Sequence, residues 1–468
     1  MDAVLERLRA IVGDAHVLVS VEDRASYQRD WRGRYQGDAL CVVRPGSVEE
    51  VSAVVCACAE HGCPIVPQGG NTSHVGGSVP LGTGREVIVS TSRMNRILAV
   101  DAPNNTITVQ AGCTLAAVQE AAQAVERLFP LSLASEGSCQ IGGNLASNAG
   151  GVHVLRYGNM RDLVLGIEAV LPDGRIWNGL RGLRKDNTGY DLKHLFVGSE
   201  GTLGIITAAV LKLFPQPRSR AVAWVAVPDA QTALDLLGLV ASRAAEHLSA
   251  FEIIDASAFE LILKHIPQAK SPLSSVSPWY ALIELADSNA TSTLQVLLED
   301  ILATALEKAW VTDAVLAASQ AQIEALWALR ESAADAQKIE GISIKHDISL
   351  PVSRIPEFLQ AAEQALTEHF GKIRIVAFGH AGDGNLHYNL SRYEAERNAE
   401  FIARTPEANR IVYDIVASFG GSISAEHGLG QLKREEICRY KSEVELDIMR
   451  SIKRVLDPAG IMNPGKLL

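Results

Sequence analysis

Between Leu133 and Gly151 the chain sets five glycines among serines and asparagines, in nineteen positions. A stretch so small and polar cannot serve as core, because a core needs bulky apolar side chains to exclude water. Backbone stripped of side chains is suited to lying directly against a large flat ligand. Two further segments share this character. Val66–Ser78 reads VPQGGNTSHVGGS and follows an apolar strand pattern, and Phe196–Ile206 reads FVGSEGTLGII. The first does not fit G-x-G-x-x-G, and no G-x-x-x-x-G-K-[ST] occurs in the chain, so neither common nucleotide signature applies. Its backbone N–H groups could close on a pyrophosphate as an anion nest, or could simply form a tight loop. Three such stretches in the first 220 residues ask for an extended ligand. A dinucleotide flavin fits better than a mononucleotide.

The surrounding pattern alternates strands and helices. SVEEVSAVVCACAEHG reads as an amphipathic helix opened by a Ser cap and closed by Gly62, as side-chain capping and a left-handed terminal glycine require. LVLGIEAVLPDGRIWNG reads as a hairpin turning on Pro-Asp-Gly. Two prolines near 215–220 mark a boundary. Beyond it, strand patterns such as AVAWVAV, LSAFEIID, WYALIELA, SIKHDISLP and KIRIVAFGH alternate with long helical ones, which predicts a sheet with helices stacked on it. The tail from about 428 reads as helical again.

A different chemistry lies in R374-I-V-A-F-G-H-A-G-D-G-N-L-H-Y-N389. It reads as strand, glycine turn, strand. A hairpin there can point His380 and His387 at one spot, and Asn389 shares the face of His387 because side chains alternate along a strand. About forty residues on, Glu426 and His427 are adjacent. Two neutral imidazoles and a carboxylate make a common catalytic divalent-metal set, with positions left open for substrate. Hairpin histidines that merely hydrogen-bond are the alternative. Arg330 sits late on an apolar helical pattern and Lys345 in a strand-like one. They read either as a surface Arg and a snorkelling Lys or as a cationic pair for a carboxylate.

Composition bounds the rest. Of the 468 residues 47% are hydrophobic and 21% charged, so large cores can form and global disorder is excluded. The net charge of −11 argues against nucleic acid as a partner. Seven cysteines without a CxxC read as reduced thiols in a cytoplasmic protein. The N-terminal stretch lacks the apolar region of a secretion signal, and no segment has the roughly 18 apolar residues of a membrane span.

Taken together, Pro67–Ser73, Gly137–Gly151, Arg184–Asp191, Gly198–Thr207 and Asn463–Lys466 resemble the FAD-linked enzymes of the vanillyl-alcohol-oxidase type. Within them the chain is most similar to the D-2-hydroxyglutarate and D-lactate dehydrogenase branch. The resemblance implies an α+β fold: an FAD-binding domain of two α/β subdomains at 1–219, a substrate domain with an antiparallel sheet and helices at 220–425, and a helical segment, 426–468, returning to the FAD domain. It implies FAD contacts at Gln68, Gly69, Gly70, Asn71, Thr72, Ser73, Gly77 and Ser78 in the first loop. The second stretch would add Glu136, Gly137, Ser138, Gly142, Gly143, Asn144, Ser147, Asn148 and Gly151. Glu200, Gly204, Ile205, Ile206 and Asn463 would complete the set.

In covalent relatives a His follows the glycine pair of the first loop. Asn71 stands there, so FAD is expected to be non-covalent. The resemblance further implies His380, His387 and Glu426 as ligands of zinc or a similar ion, His427 as catalytic base, and Arg330, Lys345 and Asn389 as substrate contacts. The expected activity is oxidation of a D-2-hydroxy acid. D-2-Hydroxyglutarate is favoured over D-lactate, glycolate or D-malate, and a non-catalytic flavin-binding subunit is the remaining rival. Ala334 departs from the pattern, in which a Thr stands one turn after the Arg; this loosens the substrate assignment. The expected electron acceptor is an electron-transfer flavoprotein or a quinone, and the resemblance suggests a homodimer.

Overall fold

The computed structural model describes residues 2–291, 293–394 and 397–468. The chain divides into two compact units. The first takes the chain up to Gly151, then Tyr157–Gln216 and Glu426–Leu468; the second takes Val152–Arg156 and Pro217–Ala425.

In the first unit two sheets carry the glycine-rich stretches. A four-stranded sheet runs Val17–Leu18, Cys41–Val43, Val87–Ser90, Ile65–Gln68. Its last three strands are parallel and buried throughout but for Pro67, as parallel strands covered on both faces must be. Helix Val48–His61 crosses between two of them. Ser47 caps it by accepting from the Glu50 N–H, and Gly62 closes it at φ 59°. A five-stranded antiparallel sheet runs Ile97–Asp101, Thr106–Gln110, Ile205–Lys212, Val164–Val170, Ile176–Asn178. Its final hairpin turns at Pro172–Gly174 as expected, pairing Val170 with Ile176.

The second unit is built on a seven-stranded sheet in the order Asp313–Leu316, Ser219–Val227, Trp279–Asp287, Leu248–Asp255, Arg374–His380, Asn385–Ser391, Asp347–Ser349. Every neighbouring pair is antiparallel. Helices Ala256–His265, Gln320–Glu331 and Ala333–Glu340 share a core with one face of it, around Trp224, Phe259, Tyr280, Trp327 and Phe378. The predicted strand SIKHDISLP is shorter than its pattern: it begins at Asp347, and Lys345 precedes it beside an isolated Ile344–Leu390 bridge.

All seven cysteines are free thiols. Burial pushes the Cys41 thiol up to about 12 and Cys58 well above its usual range, so neither is a nucleophile. Among the described residues no helix is long and apolar enough to cross a membrane.

Candidate active site

The first unit gathers the expected cofactor segments. The loop after strand Ile65–Gln68 packs on the turn before helix Ile141–Ala146. A side chain at Gly70 would meet the Ser138 carbonyl at 2.0 Å, so only glycine fits there. Ser138, with Glu136 and Gly137, forms that turn, and the helix carries Gly142, Gly143 and Asn144 before Ser147 and Asn148 close it. Glu200 N–H then donates to the Ala146 carbonyl at 2.8 Å. Gly204, Ile205 and Ile206 lead into the next strand. Asn463 Nδ2 donates to the Gly77 carbonyl at 2.9 Å and the Glu200 carbonyl at 2.7 Å, which ties the C-terminus to the first and third loops. Four of these residues hold a left-handed backbone without being glycine: Asn71, Asn148, Glu200 and Asn463. Such backbone costs free energy and persists where the surrounding structure over-determines it.

Several side chains are spent inside the protein. Gln68 donates to Tyr27 O and Ser78 O. Asn71 donates to Ser26 O and Arg29 O and accepts from Ser78 Oγ. Asn148 accepts the Arg161 N–H at 2.9 Å. What this first loop offers a ligand is therefore chiefly backbone. The Arg184–Asp191 motif takes no part in the cluster; it is largely exposed, Tyr190 by 96%.

FAD suits this cluster. A Cβ built on Gly137 or Gly143 meets no atom within 4 Å, so both face open space. The C-terminal turn adds two buried polar atoms without a hydrogen-bond partner among the described residues, Asn463 Oδ1 and Lys466 Nζ. Burial pulls the Lys466 ammonium down to about 8 although Glu86 opposes it, so at neutral pH it remains mostly a cation, able to meet an anionic group.

His427 follows the same cluster. Its ring lies 4.4 Å from that of His74, which meets Trp31 edge-on at 5.3 Å. Glu200 clamps the turn beyond, accepting Leu429 N–H at 2.8 Å and Gly430 N–H at 2.7 Å. Burial pushes the Glu200 carboxyl up against those two bonds and Lys433. Glu426 Oε1 accepts the Gly151 N–H at 2.7 Å.

In the second unit one sheet face collects the other candidates. Register pairs Glu252 with His380, Phe378 with His387, Val376 with Asn389, and Asp347 with His387, and directly opposed residues share a face. The His380 and His387 ring centroids are 6.0 Å apart. Glu252 Oε1 lies 2.8 Å from His380 Nδ1, and Oε2 accepts from Arg330 Nε at 2.9 Å. Burial would raise the Glu252 carboxyl, but His380 and Arg330 outweigh it and hold it below its ordinary value. Arg330 is only 6% exposed and its guanidinium lies over the Phe378 ring. Its Nη2, 2.8 Å from Glu252, is buried and makes no aligned hydrogen bond. Gln337 Oε1 accepts from Lys345 Nζ at 3.0 Å and Asn389 Nδ2 at 2.8 Å, and Asn389 Oδ1 accepts the His346 N–H. With its Nδ1–H directed at Glu252, the lone pair of His380 lies on Nε2, the tautomer found in metal-binding histidines.

Sequence reasoning missed Glu252, Gln337 and His74. For Glu252 the available signal was a lone acid inside the buried strand pattern LSAFEIID.

Residues 39–179 match the FAD binding domain family, and residues 216–467 match the family of FAD linked oxidases, C-terminal domain. The chain belongs to the FAD-linked oxidase family and is an FAD-dependent oxidoreductase. It is 42% identical over 444 residues to the mitochondrial D-2-hydroxyglutarate dehydrogenase of Danio rerio, covering 94% of this chain and 80% of that protein. It is 35% identical over 468 residues to the D-2-hydroxyglutarate dehydrogenase of Stutzerimonas stutzeri, covering 99% and 98%. Among solved structures, p-cresol methylhydroxylase with substrate bound shares the fold at a TM-score of 0.77 and 18% identity, covering 100% of this chain and 96% of that one. The 4-ethylphenol oxidase of Gulosibacter chungangensis does so at 0.75 and 19%, with the same coverage.

Proposed function

We propose that the chain oxidises a D-2-hydroxy acid to the 2-oxo acid, using non-covalent FAD and a divalent metal, with D-2-hydroxyglutarate as the favoured substrate. One observation carries this reading: a single sheet face bears the His380–His387 imidazole pair beside Asn389 and the cations Arg330 and Lys345, which reach it through Glu252 and Gln337. The relatives' names, D-2-hydroxyglutarate dehydrogenase, support the substrate.

In this reading His380, His387 and Glu426 hold the metal, which the donor chemistry suggests is zinc. Ala425 N–H donates to the carbonyl of Asp347, the residue paired with His387, and Glu426 is the next residue along. The ion, when bound, favours ionisation of the substrate hydroxyl. His427 takes the hydroxyl proton as general base. The carbinol C–H leaves with both its electrons as the C–O bond becomes a carbonyl. Bound FAD supplies the acceptor for that hydride, held by the glycine-rich loops with Asn463 and Lys466. Arg330, Lys345 and Asn389 hold the far end of the acid and so fix which face reacts. The reduced protein passes its electrons to an electron-transfer flavoprotein or a quinone, works as a homodimer, and acts in a compartment that keeps its thiols reduced, the cytoplasm.

A second reading has its own support. Arg330 already faces Glu252, and Ala334 offers no hydroxyl, so a smaller acid such as D-lactate needs less of this apparatus. Anaerobic bleaching of the flavin across a panel of D- and L-2-hydroxy acids tests both. D-2-Hydroxyglutarate should bleach fastest. Bleaching by L-acids alone, or by none, would sink the proposal, and preferential bleaching by D-lactate would favour the second reading.

A further inference from the structure

We infer that Glu252 is a positioning residue: it fixes the orientation and tautomer of His380 for the metal while tethering the substrate-binding Arg330 through its second oxygen. The inference rests on the metal reading above and assigns a residue outside the ligand set. Glu252 lies within the central strand Leu248–Asp255 and is wholly buried. Its carboxylate can only accept hydrogen bonds. At 2.8 Å from Oε1, His380 Nδ1 must therefore carry its proton toward Glu252, which leaves the lone pair on Nε2. Metal-binding histidines need this arrangement, because an imidazole free to rotate or to swap tautomers presents its lone pair only part of the time.

The other oxygen is committed separately. Oε2 takes the Arg330 Nε bond at 2.9 Å, so the two oxygens are divided, one to each partner. The Nε–Nη2 edge of Arg330 is thereby turned to Glu252, Nη2 lying 2.8 Å from the same carboxylate. One side chain thus couples the ion's histidine to the anchor of the acid. A simpler role would be to neutralise Arg330. Neutralisation alone does not require the first oxygen to face a histidine, and the two roles separate experimentally.

The test uses the full-length flavoprotein and Zn2+, with affinity read by competition against a chromophoric chelator and FAD occupancy read from the visible spectrum. Glu252→Gln should weaken Zn2+ binding about 10- to 100-fold, the usual effect of losing a histidine's outer partner, with FAD occupancy unchanged. The double variant E252L/R330M removes both the acceptor for His380 and the buried charge imbalance, and keeps the test sound if the single variant does not fold. It should remain weakened to the same degree. If the double variant binds Zn2+ as the wild type does while His380→Ala does not, Glu252 only neutralises Arg330 and the inference falls. If wild type binds no Zn2+ and His380→Ala changes nothing, the metal reading itself fails and takes the inference with it.

Discussion

Lys345→Met should separate two substrates that share the same chemistry. Lys345 is half-buried, with Nζ 3.0 Å from the neutral amide of Gln337. Arg330 is buried against Glu252. Arg330 thus already faces one carboxylate, and Lys345 is the second cation of the pair proposed to hold the far carboxylate of D-2-hydroxyglutarate. Met at 345 removes that positive charge while leaving Arg330 and Glu252 in place. Truncating one partner of a buried charged contact typically costs about 2–5 kcal/mol. The half-exposure of Lys345 argues for the lower end, because solvent screens what remains. About 2 kcal/mol corresponds to a loss of roughly 30-fold in kcat/KM. D-Lactate has no second carboxylate and should lose little. The assay is steady-state kcat/KM on both acids with an artificial electron acceptor, comparing the variant with wild type. Equal losses on both would show that Lys345 serves the shared reaction. A wild-type preference for D-lactate would overturn the dicarboxylate assignment.

Acid precipitation should release the flavin into the supernatant, because Asn71 cannot form a covalent link and its side chain is engaged with Ser26, Arg29 and Ser78; a pellet that stays yellow after washing would refute this. Prolonged chelation should remove a divalent ion and abolish turnover with FAD retained, and His387→Ala should reproduce it; full activity in protein shown metal-free by elemental analysis would contradict the proposed ligands. A stability prediction concerns Glu284, buried under Trp327 Nε1 at 2.8 Å and Ser249 Oγ at 2.7 Å. Burial would raise its carboxyl, but His153 and Arg220 pull it from 4.5 down to about 2. The folded value lies below the unfolded one, so this stabilisation is fully present above about pH 4.5 and is lost as pH falls toward 2. Acid unfolding followed by circular dichroism should show that slope, and Glu284→Gln should flatten it.

The glycine-rich loops proposed to hold the flavin were legible in the sequence because their signal is local. A glycine at 70 is required by a 2.0 Å approach to the Ser138 carbonyl, and such positions announce themselves by composition. The His380–His387 hairpin was legible for the same reason: seven residues with a glycine turn set both rings by strand alternation alone. Capping at Ser47 and the Pro172–Gly174 turn likewise depend on neighbours in the chain. Other features required the fold. Glu252 and His380 are 128 residues apart, and only strand register makes them partners. Gln337 meets Asn389 across 52 residues because a helix lies over that sheet face. The spending of Gln68 and Asn71 on Tyr27, Ser26 and Arg29 was invisible for the same reason, as was the grouping of Val152–Arg156 with the second unit, which Arg156 anchors through the His247 and Ala286 carbonyls. Sequence spacing determines what a turn, a cap or a glycine loop can do; which buried donor meets which acceptor is decided by sheet register and helix packing, where residues far apart in the chain must satisfy one another out of reach of water.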